Sequence, residues 1–114
     1  MKRLDILLQA NAITVGTYDF AHQVISLMKE EYFVAEEHLE MMITHLVMAT
    51  ERIKQAEIVI GMEEELFSSI RGDAQYEIAD SIMKQIVAFS KVEFPQSEQQ
   101  YMLLHLCNSL KGGD

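Results

Sequence analysis

Apolar side chains recur along this chain at steps of three and four, the spacing that gathers them on one face of an α-helix. In RLDILLQAN, residues 3–11, Leu4, Ile6, Leu7, Leu8 and Ala10 predict a short helix. The β-branched, glycine-terminated ITVG of residues 13–16 interrupts it, and Thr17 stands where an N-cap belongs. The second helix then runs to about Tyr32, with Phe20, Val24, Leu27 and Met28 as its core stripe and Ala21 alongside. Glu36 and Glu37 open a third, their charges matched to the helix dipole. That central helix extends to about Glu57, and Leu39, Met42, Ile43, Leu46, Ala49 and Ile53 fall on one of its stripes. IVIG, residues 58–61, reads as a tight connection. MEEELFSSI, residues 62–70, is a short helix, and Arg71-Gly72-Asp73 breaks it, with Asp73 capping the next helix. From Ala74 to about Val92, Ile78, Ile82, Ile86 and Phe89 mark an amphipathic helix, widened by Ala79, Met83 and Val87. Pro95 disfavours helix at Phe94. Ser97 as cap and Gln100 three residues later make a capping box for the last helix, SEQQYMLLHLCNSL. Leu103, Leu106, Cys107 and Leu110 form its apolar side, and Lys111-Gly112-Gly113 ends it. The expectation is one all-α domain over residues 1–114.

The polar faces carry less ordinary residues. His38, His45 and Arg52 are spaced by seven on the central helix, beside Met41 and Met48, where a surface helix usually shows Lys and Glu. Glu98, His105 and Ser109 share the polar side of the last helix. Two turns separate His45 from Arg52 and Glu98 from His105, roughly 10 Å along each axis. Each companion therefore helps only if helices cross or if it meets a group on a partner. His22 reads as a plain, partly exposed residue.

Conventional chemistry finds little support in these patterns. Di-iron bundles need Glu-x-x-His pairs, but Met42 and Met102 precede His45 and His105 by three. His38 and His45 are seven apart and cannot chelate as an H-E-x-x-H pair does. Cys107 points away from His105, so no local nucleophile pair forms. No metal and no cofactor is expected, and the chain does not read as an enzyme. The weaker alternative is a small metal-dependent or acid–base catalyst using His38, His45 and carboxylates.

Composition narrows the partners. The 114 residues carry a net charge of −9 from 9 basic and 18 acidic side chains, which sets the chain against phosphate backbones and anionic membranes. Direct nucleic-acid binding and membrane insertion are not expected. The single Cys107 makes no intrachain disulfide and suits a reducing cytoplasm. Met1-Lys2-Arg3 before LDILLQANAI faintly suggests a signal peptide, but Asp5, Gln9 and Asn11 interrupt the apolar run. The eight methionines first read as core filling.

Two stretches carry a resemblance. MITHLVMATERIKQ resembles the first signature of the PTS regulation domain, with His45, Leu46, Ala49 and Arg52 in its places. FPQSEQQYMLLHLCNSL resembles the second, through Glu98, Tyr101, Met102, His105 and Leu106. The interval of 60 positions between His45 and His105 is also similar, and the resemblance covers about residues 17–110. Thr44 stands where an Asp or Asn is frequent, and Met48 where an aromatic is common.

The resemblance implies a compact five-helix or six-helix bundle; family regulators usually append it to a nucleic-acid-binding module, and with none read in this sequence the expectation is a stand-alone cytoplasmic domain. It implies His105 and His45 as phosphoacceptors, His105 with the better surrounding match, and Arg52 and Glu98 as supporting positions. The implied donor is the histidine-containing phosphocarrier protein or a sugar-specific component of the phosphotransferase system. The implied output is transcription regulation of sugar use, through a homodimer or a hetero-complex with a regulator. The alternative is a scaffold of the same fold that works without phosphorylation.

Overall fold

The computed structural model describes residues 1–112 and is all-helical. Six α-helices follow in order: α1 (Lys2–Gln9), α2 (Val15–Glu31), α3 (Glu40–Lys54), α4 (Glu64–Arg71), α5 (Tyr76–Phe89) and α6 (Gln96–Leu110). A 3₁₀ turn, Glu36–His38, precedes α3. The helix α3 packs against α1, α2 and α6, and α6 packs against α3, α4 and α5. These two helices are thus the shared spine of the bundle. Leu39, Met42, Ile43 and Leu46 before and along α3 are fully buried, as is Leu106 of α6. They meet Ile82 and Ile86 of α5 and Val24 and Met28 of α2 in one core. No helix among the described residues is long and apolar enough to cross a membrane.

Helix ends depart from the sequence reading, each for a local reason. The cap of α2 is Thr14, not Thr17: its extended backbone (φ −87°, ψ 166°) lets its hydroxyl accept the Thr17 N–H. Thr17 instead lies buried in the first turn, where its hydroxyl and that of Thr14 accept hydrogen bonds from Lys54 Nζ. Val15 and Gly16 therefore sit inside the helix. The expected single helix from Glu36 to Glu57 is a 3₁₀ turn, a bend at Leu39 and then α3. It stops three residues early because Ala56 takes a left-handed conformation (φ 58°). The Glu57 N–H then reaches back to the Arg52 carbonyl, and the Ala56 N–H to that of Ile53. This is a Schellman closure made without glycine.

The capping box at Ser97 does not form. The helix α6 begins at Gln96 with Pro95 before it and no side-chain cap. Gln100 is committed elsewhere, its Oε1 accepting the Met62 N–H at 2.9 Å. Asp73 is not the cap of α5, whose N-cap is Gln75 with no side-chain cap; its carboxylate instead accepts the Gln75 N–H in the turn before the helix. The buried stripe of α5 is Ala79, Ile82, Met83 and Ile86, while Ile78 and Phe89 are exposed. At the far end of α6, Lys111 is the C-cap and Gly112 has φ 80°. Gly113, expected to share in that ending, lies outside the described residues.

Candidate functional site

The four sequence-selected residues come together where α3 meets α6. His45 and Arg52 project from α3, Glu98 and His105 from α6. Seven residues forward from His45 stands Arg52; seven residues back from His105 stands Glu98. That mirrored spacing works because the two helices run in opposite directions. One imidazole then meets the other, and the guanidinium meets the carboxylate two turns away.

The His45 and His105 rings lie stacked, centroids 3.9 Å apart and planes tilted by 15°. Arg52 Nε donates to Glu98 Oε2 at 3.1 Å, and Nη2 donates to Oε1 at 2.9 Å. Planar guanidinium and carboxylate thus pair through two parallel bonds, the strong geometry for these groups. Glu98 is only 2% exposed, whereas the Arg52 side chain is 34% exposed. A carboxylate so buried is tolerated because both its oxygens are bound. The bond to Glu98 raises the Arg52 pKa, against an opposing effect of burial.

Burial and neighbouring charge keep both imidazoles neutral at pH 7. His105 is half-buried, and burial, with the nearby His45, lowers its pKa to about 4. His45 is exposed, yet burial of part of its ring and then the Arg52 charge also lower its pKa. Each ring therefore keeps one nitrogen lone pair, and two neutral rings stack without charge repulsion. This is a pair of nucleophiles with a guanidinium two turns away that can receive an anion.

The other histidines stand apart. His38 belongs to the 3₁₀ turn, not to α3, so the expected line of three on one helix does not exist. It is half-buried near Gly112, Nε2 lying 4.0 Å from where a Cβ there would stand. His22 is half-buried, edge-on to Tyr18 at 4.5 Å, and its Nε2 has no hydrogen-bond partner. Cys107 lies in the core, where burial raises its thiol pKa. Among the described residues no three His, Cys, Asp or Glu side chains group as metal ligands. A cleft of about 140 Å³, lined by Thr17, Phe20, Thr50, Lys54, Phe89 and Val92, includes none of the four site residues.

Sequence reasoning missed the surroundings of the pair. Tyr101, one turn before His105, sends its hydroxyl to the Ile60 carbonyl at 3.3 Å. It thereby ties the α3–α4 connection to the site's own helix, and nothing in the local sequence pairs those two positions.

A family model described as PRD domain matches residues 18–109. The chain belongs to the PRD domain family. It is therefore a module of PTS-regulation type, and all four residues of the α3–α6 constellation lie within the matched span. The PRD domain's helical fold agrees with the six helices seen here. Neither the curated proteins nor the solved structures provide a match.

Proposed function

We propose that this PRD domain is a cytoplasmic regulatory module, not a catalyst, that accepts a phosphoryl group on His45 or His105. The donor is the phosphocarrier protein or a sugar-specific component of the phosphotransferase system. The readout is a change in protein contacts that feeds transcription regulation of sugar use. One observation carries this reading: two neutral, stacked imidazoles on the same helix pair as a half-exposed, carboxylate-bound arginine.

A neutral imidazole attacks phosphorus through its lone-pair nitrogen. One N–P bond forms as the donor's N–P bond breaks, and the donor imidazole leaves as neutral as the acceptor began. No catalytic group of this chain is required. The new group adds nearly two negative charges and strong acceptor oxygens. Arg52 is the cation that can turn towards it. Doing so strips Glu98 of the partner that makes its burial tolerable, and removing one member of such a pair costs about 3–5 kcal/mol. Phosphorylation at the outer end of the site would thus loosen the N-terminal half of α6. The exposed methionines Met41 and Met48, on the same helix as His45, offer a surface whose contacts could change with it.

The test is incubation with phosphoenolpyruvate, Enzyme I and the phosphocarrier protein, followed by intact-mass analysis. An acid-labile phosphoryl addition is expected, and it should vanish when both His45 and His105 are replaced by Ala. Labelling that survives the double replacement rules the assignment out. No addition, under conditions that label another PRD domain, favours the phosphorylation-independent scaffold. Sedimentation would then show an association state indifferent to the donor.

A further inference from the structure

The connection between α3 and α4 breaks the inside-out rule. Ile58 is 93% exposed and Ile60 is 90% exposed. The segment is nevertheless held at both ends. Its start is fixed by the left-handed Ala56 and the Glu57 N–H bond to Arg52. Its end is fixed by buried Met62, whose N–H donates to Gln100, and its middle by Tyr101 on the Ile60 carbonyl. Two isoleucines on a tethered rib are a different matter from scattered surface apolar residues, which need no explanation. Glu57, Glu63 and Glu65 are exposed on either side and make no ion pair among the described residues.

The rib also lies close to the histidine pair. Both of its side-chain tethers come from α6, at Gln100 and at Tyr101, and Tyr101 is one turn from His105. One turn of helix is about 5.4 Å, so with the lengths of a tyrosine, a hydrogen bond and a histidine the Ile60 carbonyl lies within about 20 Å of the His105 ring. A stable protein interface covers on the order of 800 Å² on each partner, a patch roughly 30 Å across. A protein seated over His45 is therefore large enough to reach the rib as well.

We propose that the Ile58–Ile60 rib is the docking ledge for the protein phosphoryl donor, which meets it with a shallow apolar depression rimmed by lysines or arginines. The charge argues for that partner over a second copy of this chain. Two copies, each at net −9, would bring the same glutamates face to face. The inference rests on the phosphoacceptor reading above and is tested separately from it.

The experiment compares two donors on the full chain. Potassium phosphoramidate phosphorylates histidine chemically and needs no docking; the phosphorylated phosphocarrier protein does need it. Ile58→Ser with Ile60→Ser is expected to take label from phosphoramidate at the wild-type rate. From the protein donor, well below saturation, it is expected to be at least tenfold slower. A variant neutral at Glu57, Glu63 and Glu65 should lose the fall in rate that salt imposes on the wild type. Equal rates from the protein donor for the wild type and the isoleucine variant overturn the ledge. So does an equal slowing with both donors, which would place the isoleucines in the support of the site. A rib-dependent dimer in sedimentation assigns the surface to a second copy instead. If wild type takes no label from either donor, the phosphoacceptor reading itself has failed.

Discussion

Between its free-imidazole pKa of 6.5 and its folded value of about 4, His105 links pH to stability. In that window the unfolded chain binds a proton that the folded chain refuses. Its contribution is complete above roughly pH 6.5 and drains away as pH falls towards 4. His45, also lowered, acts in the same direction, with Arg52 as the cation facing it. Urea unfolding at pH 7 and pH 5 should therefore give a lower midpoint at pH 5. His105→Gln should shrink that difference; an unchanged difference would mean the ring is not sheltered in solution as it is in the structure. That the four candidate residues belong together was legible from their spacing and from the family resemblance. Their environments were not. Glu98 reads as one more polar residue near a helix start, and only the approach of α3 makes it buried.

At the scale of the element, the α3–α6 contact is unequal in its two partners. Removing Arg52 strands a carboxylate that is only 2% exposed. Removing Glu98 strands an arginine that can swing outwards. Arg52→Ala is expected to cost about 3 kcal/mol of stability and Glu98→Ala roughly 1–2 kcal/mol. Denaturant midpoints check the order, and a reversed order would remove the buried carboxylate as the constrained partner. The same helix ends on an unfavourable residue. Ala56 holds a left-handed conformation that glycine adopts without steric cost. Ala56→Gly should raise stability by about 0.5–1 kcal/mol, read as an upward shift in melting temperature. This explains why the end of α3 was hidden in the sequence: the expected glycine signal is absent, and the apolar pattern runs on into IVIG. The start of α6 was misplaced for the opposite reason. Ser97 and Gln100 do have capping spacing, but Gln100 is drawn to a distant backbone N–H.

For the whole molecule, the number and order of the helices followed from periodicity, since each long helix had to bury one stripe. What periodicity does not contain is which helix lies beside which. The amphipathic pattern of α3 is satisfied by any apolar neighbour, and the choice of α6 as partner is made by the assembled core. The exposed rib shows the same limit. Read in sequence, IVIG is a tight connection whose exposure is left open; in the fold, Met62 takes the buried place and Ile58 and Ile60 are left outside. A segment of that kind gains nothing for the isolated chain, which leaves it free for a contact with another protein.

The 3.9 Å between the two imidazoles also limits arithmetic. Two dianionic groups on rings in van der Waals contact would repel by several kcal/mol even with solvent screening. Two modifiable positions would ordinarily give four occupancy states. If both rings accept phosphoryl groups as proposed, the doubly filled state is suppressed, leaving empty, filled at His45 and filled at His105. On that proposal the domain would not count phosphoryl groups; it would report the fraction of molecules carrying one, and which face of the stack carries it.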